Sequence, residues 1–240
     1  MKKTIESARD WRAYWAHAVE KAGTRDLLRQ VDRTVVGGLE PEEQIEILVK
    51  AVARALKLQH NDVLIDLCCG NGLVTARLSS LCRLIVGVDY SKDLIEIAKI
   101  TNSASNITYV NRSVEDLLPL DLPPTGPTKI CMNAGLQYFT GPMLHRLLVS
   151  LRGLARVDVE LLFTAVPDAE KLERFYNTPE RRAEYQRRSA AGNEAIGTWW
   201  ERSHLISIFR QAGYNATAVD QDPTLLTAHY RFDVLAHLSI

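Results

Sequence analysis

The chain has 240 residues, and its 29 Lys plus Arg balance 29 Asp plus Glu, so the formal net charge is zero. Hydrophobic residues make up 46%, enough for one well-buried domain. The balance excludes a global field for nucleic acid or anionic membrane, leaving room only for a local patch, and no apolar run approaches a membrane span. Met1-Lys2-Lys3-Thr4 leads into polar helical sequence rather than a secretion signal, which predicts a cytoplasmic protein with neither a membrane nor a nucleic-acid partner. Cys68, Cys69, Cys82 and Cys131 lie in apolar contexts without zinc spacing. They read as reduced thiols serving as small hydrophobes, and no metal is expected.

Residues 5–33 read as helical. Trp11, Tyr14, Trp15, Ala18 and Val19 recur at i, i+3, i+4, i+7, i+8 and so share one face. The pair Gly37-Gly38 breaks the helix. Pro41-Glu42-Glu43 opens another, with proline at the first position and acids in the first turn. Val63-Leu64-Ile65-Asp66-Leu67 is a short apolar run of the kind that forms a buried parallel strand. It enters the turn Cys68-Cys69-Gly70-Asn71-Gly72, and helical sequence follows from Leu73 to Leu81. Glycine lets a ligand approach the main chain, and the new helix points free N–H groups at it. Leu84-Ile85-Val86-Gly87-Val88 is a second buried strand with Asp89 at its end. Ligands of open parallel sheets bind outside the carboxyl ends of the strands. A carboxylate there can accept both hydroxyls of a ribose, so the pair predicts a nucleoside-cofactor site. A dinucleotide fingerprint needs a third glycine where Thr75 stands, which makes an NAD-dependent oxidoreductase an imperfect rival.

With these residues in hand, the sequence resembles the class I S-adenosylmethionine-dependent methyltransferases, small-molecule branch. Asp66-Leu67-Cys68-Cys69-Gly70-Asn71-Gly72 matches their first motif and Gly87-Val88-Asp89-Tyr90-Ser91 their second, with Cys68 in place of the usual first glycine. A cysteine there must keep its backbone out of glycine-only angles. The resemblance covers about Val63 to Val166 well and the remainder loosely. It implies an α/β fold: a Rossmann-like, seven-stranded, mostly parallel sheet with an antiparallel last strand and helices on both faces. It also implies that residues 1–40 form an N-terminal helical lid on a domain of residues 41–240. The aromatic face of the first helix, Tyr14 included, either packs on that domain or closes over the acceptor. Arg33 either pairs with the cofactor carboxylate or is a solvated side chain.

Further along, Ser91 can cap a helix whose buried face holds Leu94, Ile97 and Ala98. After the third strand at Asn106–Val110, the family's adenine contacts fall on Ser113 and Val114, with Glu115 and Asp116 as near substitutes. Lys129–Asn133 is the fourth strand, with Asn133 at the cofactor edge and Gln137 and Tyr138 beside the acceptor. Asn133 is followed by Ala-Gly, not by the Pro-Pro-aromatic sequence of amine-modifying DNA methyltransferases. Val159–Val166 is the fifth strand. Residues 167–197 then form a charged insertion, helical over Asp168–Tyr176 and Pro179–Ala190, that is either solvated or a cap over the substrate. Thr198 is expected to cap a helix carrying Trp199 and Trp200 in its first turn, one of them facing the pocket. Tyr214–Val219 and Ala228–Leu238 are the last strands. An antiparallel final strand starts at the active edge, so His229 and Arg231 become candidates while His237 lies far away. The resulting expectation is S-adenosylmethionine, giving S-adenosylhomocysteine, and in-line methyl transfer to a small molecule. O-methylation comes first, with N-methylation close behind, and a non-catalytic cofactor-binding regulator stays open. His229 is the candidate base.

Overall fold

The computed structural model describes residues 3–7, 9–23, 26–35 and 38–240; Met1, Lys2 and Gly37 of the sequence readings lie outside the described residues. The N-terminal region holds α1 (Trp11–Ala22), α2 (Leu27–Gln30) and a hairpin of β1 (Thr34–Val35) and β2 (Gly38–Leu39). The single helix expected over 5–33 is therefore two. Asp10 caps α1 by accepting from the amides of Arg12 and Ala13, so the helix starts six residues after Ile5. Gly23, at φ +67°, ends it. Ile5 instead pairs in extended form with Trp199 from the far end of the chain.

After α3 (Glu42–Ala55) come β3 (Val63–Leu67), α4 (Leu73–Leu78), β4 (Leu84–Asp89), α5 (Lys92–Thr101), β5 (Ile107–Asn111), β6 (Lys129–Asn133), α6 (Gly141–Leu154) and β7 (Val159–Pro167). The insertion contains α7 (Leu172–Phe175) and α8 (Pro179–Ala190), and the chain closes with α9 (Arg202–Gln211), β8 (Asn215–Asp220) and β9 (Arg231–Leu238). The sheet order is β5-β4-β3-β6-β7-β9-β8. All neighbours are parallel except β9, which runs antiparallel to both β7 and β8. This is the expected seven-stranded sheet. Strand order reverses between β3 and β6, and that switch point leaves a crevice at the carboxyl ends of both.

Strand residues alternate between two cores. Ile65, Leu67, Ile130, Met132, Leu161 and Phe163 meet α6 and α9 on one face. Leu64, Ile85, Cys131 and Leu162 meet Ile45, Leu48, Val49 and Val52 of α3 on the other. A strand buried on both sides has no polar face, which is why these runs read as continuous. Three boundaries move. The 3-10 segment Ser79–Leu81 finishes α4, and β9 begins at Arg231 because Ala228 to Arg231 turn back onto Leu225 and Thr227. The largest change is at Trp199 and Trp200. α9 starts at Arg202, capped by the Glu201 carboxylate on the amides of Ser203 and His204. The two tryptophans lie before that helix in extended backbone, bridged to Ile5 and Asp168, and both are fully buried. Thr198 caps no helix; its hydroxyl donates to the Phe139 carbonyl at 2.8 Å.

Candidate functional site

One cavity of about 790 Å³ opens over the carboxyl ends of β3, β4, β6 and β7. That is within the roughly 300–1,000 Å³ typical of ligand sites. Asp66, Cys68, Gly70, Asn71, Asp89, Tyr90, Asn133, Gln137, Tyr138, His229 and Arg231 all line it, as do Tyr14 and Arg33. These residues come from six separate stretches of chain, brought together by the fold.

The glycine turn and Asp89 are built as one unit. Asp89 Oδ2 accepts from the Gly70 amide and Oδ1 from the Ser91 amide, both at 2.9 Å. Each carboxylate oxygen retains a lone pair for a ligand hydroxyl. Burial raises the Asp89 pKa, and the backbone amides oppose that rise. Gly70 and Gly72 sit at φ +56° and +76°, and a Cβ on Gly72 would fall 2.3 Å from the Tyr109 hydroxyl. Cys68 takes φ +55°, in the left-handed region, so it does not keep clear of glycine-like angles as expected. That region is allowed for other residues at a cost of about 1–2 kcal/mol. Asp66 accepts from Thr75 Oγ1 at 2.6 Å and Cys131 Sγ at 3.3 Å. Asn71 is spent internally: its amide donates to Leu27 O and Gln30 Oε1, tying the N-terminal region to the turn. Arg33 pairs with Glu40 at 2.8 Å, both largely buried. Arg33 is therefore not the solvated side chain of the second alternative, and its guanidinium is already held by an acid.

Above the cavity, α1 presents Trp11, Tyr14 and Trp15 towards Tyr138. The Trp11–Tyr138 and Trp15–Tyr138 ring centroids are 4.7 and 5.8 Å apart. The helix also packs Val19 on Leu94 and Ile97 of α5. One face thus serves both readings of the aromatic strip, core at one end and cavity roof at the other. The N-terminal end of this segment is fastened. Ile5 exchanges two backbone hydrogen bonds with Trp199, and Glu6 accepts from the Gly141 amide at 2.8 Å. The Tyr14 hydroxyl donates to Asp32, and its pKa rises through burial and that carboxylate.

The acceptor side differs from expectation. Trp199 and Trp200 do not line the cavity. Trp200 Nε1 donates to Leu136 O at 2.9 Å, and Trp199 packs behind the wall with Tyr176 and Tyr230. Ser113 and Val114 do not line it either. Arg12 of α1 donates to Ser113 Oγ at 3.3 Å and stacks over Tyr90, and Val114 faces the main core. The helix crossing above them is the physical reason. Of the near substitutes, Asp116 is exposed, and the Glu115 side chain lies outside the described residues. His229 stands exposed at the mouth with Nδ1 2.8 Å from Leu226 O, whereas His237 pairs with Glu160 at the opposite end of β9.

Residues 64–157 match the methyltransferase domain family. Over that stretch the chain is similar to a methyltransferase domain. It is 31% identical to an uncharacterised methyltransferase of Schizosaccharomyces pombe over 46% of this chain and 41% of that one. It is 28% identical to a 23S rRNA uracil-C(5)-methyltransferase of Francisella tularensis over 40% of this chain and 27% of that one. The match thus spans less than half the length of either relative. An O-methyltransferase family protein of Burkholderia thailandensis has the same fold, with TM-score 0.63 and 14% identity, over 100% of this chain and 65% of that one.

Several residues lining the cavity carried no sequence signal. Phe175, Arg181, Ala195 and Ile196 arrive from the insertion, and Gln221, Leu225 and Thr227 from the turn before β9. Trp11 and Trp15 were visible as part of the helical strip. Asp66 also makes the domain pH-sensitive. Burial raises its pKa to about 6, opposed by the Thr75 and Cys131 hydrogen bonds, and buried Asp233 is likewise raised to about 6. A raised carboxyl pKa in the folded state stabilises it fully below the unfolded value of 3.8 and loses that contribution as pH rises through about 6. Across that window Asp66 accounts for a loss of up to about 3 kcal/mol. Urea titrations of the ligand-free protein at pH 4 and pH 7 measure it, and Asp66→Asn is expected to flatten the slope by its own share, leaving those of Asp233 and Asp89.

Proposed function

We propose that this protein is an S-adenosylmethionine-dependent methyltransferase that transfers the methyl group to the oxygen of a small molecule. The observation that carries the reading is the Asp89 carboxylate locked to the Gly70 amide at the rim of a roofed, partly open cavity. Asp89 would hold the ribose hydroxyls. Asp66 and Gly70 would receive the amino-acid end, with Asp66 ionised above about pH 6; Gly72, expected there too, does not line the cavity and instead shapes the turn against Tyr109. Tyr90 and Leu94, which line the cavity next to Asp89, would flank the base. The sulfonium methyl would then face Asn133, Gln137 and Tyr138.

Transfer is an in-line displacement: the acceptor oxygen forms a bond to the methyl carbon as the carbon–sulfur bond breaks. The donor is already activated, so alignment and exclusion of water supply most of what is needed. The aromatic roof from α1 supports water exclusion. A hydroxyl acceptor must also lose its proton. His229 suits this because Leu226 O receives the Nδ1 proton, which leaves Nε2 as the basic nitrogen.

Small-molecule specificity is supported by enclosure. The cavity is roofed by α1 and walled by the insertion, and the chain has no net positive charge to attract RNA. The RNA-modifying relative makes RNA the second reading. Among the described residues no helix is long and apolar enough to cross a membrane; a cytoplasmic location remains part of the proposal. One experiment separates the readings. A cell extract is divided into RNA and metabolite pools and incubated with the protein and a deuterium-labelled methyl donor. The label is expected in a metabolite by mass spectrometry, and label confined to RNA would reverse the substrate assignment.

A further inference from the structure

We propose that the acceptor is a largely apolar or aromatic acid whose carboxylate docks on Arg231. The inference deepens the methyltransferase reading and rests on it only for the identity of the bound molecule as an acceptor.

Arg231 is 6% exposed, yet among the described residues no carboxylate lies within ion-pair distance of it. A buried charge without a partner costs several kcal/mol, so such groups are usually found paired. Among the described residues its guanidinium makes one hydrogen bond, from Nη1 to the Ala165 carbonyl, and lies 5.0 Å over the ring of Tyr230, which offers no counter-charge. Its Nε is buried without a partner. The anchoring is specific. Strand β7 bulges between Phe163 and Val166, with Ala165 at φ +58°. The Ala165 amide turns to Asp233 Oδ1 at 2.9 Å and its carbonyl turns to Arg231. With Nη1 fixed there, the free edge of the guanidinium is the Nε–Nη2 side, which grips a carboxylate through two parallel hydrogen bonds. Arg202 of this same protein turns that edge on one carboxylate oxygen, Asp168 Oδ2, at 3.0 and 2.9 Å.

The neighbouring groups agree. Arg231 lines the cavity alongside Gln137, whose Oε1 is buried and unpartnered while its Nε2 donates to the Tyr138 hydroxyl at 2.7 Å. That oxygen calls for a hydroxyl or amine donor on the same ligand. A second guanidinium, Arg181, reaches the cavity from α8, stacked 4.5 Å over Phe175. The ring faces of Tyr138, Trp11 and Phe175 suit a flat apolar body. The cofactor's own carboxylate is the wrong occupant on distance. β9 is three strands from β3, so the Arg231 backbone stands about 14 Å from the strand of Asp66 at about 4.8 Å per strand.

The test uses the full chain and isothermal calorimetry. S-adenosylhomocysteine is titrated first. 4-Hydroxybenzoate, 4-aminobenzoate and indole-3-acetate, each against its primary amide, are then titrated into the loaded protein. At least one acid is expected to bind roughly 10-fold or more tightly than its amide. In Arg231→Gln that preference should fall below about threefold, with S-adenosylhomocysteine affinity kept within about threefold. Acids that bind no better than their amides, or not at all, overturn the proposal, and so does a preference that survives Arg231→Gln. A variant that loses S-adenosylhomocysteine instead assigns Arg231 to the cofactor and also overturns it. If Arg231→Gln does not fold, the wild-type acid-over-amide ratio decides. Wild-type protein that takes no S-adenosylhomocysteine refutes the methyltransferase reading, and the acid-over-amide ratio is then read on the ligand-free chain.

Discussion

Replacing Asp89 by alanine is expected to weaken S-adenosylmethionine binding by about 100-fold or more, measured by calorimetry at pH 7.5. Two hydrogen bonds from ribose hydroxyls to a carboxylate are each worth about 1.5–3 kcal/mol when the acceptor is charged. Their joint loss is about 3–6 kcal/mol, and each 1.4 kcal/mol is tenfold in affinity. A second effect points the same way. Without Asp89 the amides of Gly70 and Ser91 lose their acceptor, so the turn that receives the amino-acid end is no longer clamped to β4. The folded state itself should suffer less, because removal of a buried, pKa-raised carboxylate offsets part of the lost hydrogen bonding. The measurement therefore pairs affinity with the urea midpoint of the ligand-free protein. Unchanged affinity in a folded variant would remove the ribose assignment. An affinity loss matched by a collapsed midpoint would show only that Asp89 holds the turn.

The cofactor half was legible in the sequence because it is local. Asp66, the glycines and Asp89 lie within one strand–turn–helix–strand unit, so a short stretch contains both the geometry and the chemistry. The acceptor half was not, because it is assembled from pairings that span the chain. Trp199-Trp200 reads as a helix start only while Ile5 and Asp168 are out of sight; both residues are drawn into extended pairing by partners far away in sequence. Ser113 failed for a related reason. The turn after β5 is where the family places adenine, but Arg12 of α1 occupies the hydroxyl. Arg231 and His229 line the cavity because of one topological fact, the reversal of β9. What the sequence could not convey was the bulge at Ala165 that holds the arginine, since nothing in Phe163-Thr164-Ala165-Val166 distinguishes it from regular strand.

Gly197→Ala is expected to destabilise the protein by about 2–6 kcal/mol, combining about 1–3 for backbone strain and about 1–3 for overpacking. Gly197 sits at φ +106°, where a side chain is strained whatever the space available. A Cβ there would also lie 2.2 Å from the backbone oxygen of Gln137 and 3.1 Å from Trp11. Neither can give easily. The Gln137 carbonyl is held by the Thr198 amide at 2.7 Å, and the Gly197 amide by Glu194 Oε2 at 2.5 Å. This is the crossing where the insertion returns to the sheet beneath α1, so relief of the clash must push the Gln137 segment into the cavity or lift the helix off it. Gly153→Ala supplies the contrast. That glycine lies in α6 with nothing within 4 Å of a new Cβ, and the substitution should stabilise by about 0.5 kcal/mol through reduced backbone freedom in the unfolded chain. Urea midpoints of the two variants should therefore move in opposite directions. Because a destabilised roof admits water, Gly197→Ala should also weaken acceptor binding at temperatures where it remains folded. S-adenosylhomocysteine affinity, governed by Asp89 and the glycine turn, should change little. Equal losses of both ligands would mean that the insertion crossing and the nucleoside end of the cavity form one cooperative unit rather than two.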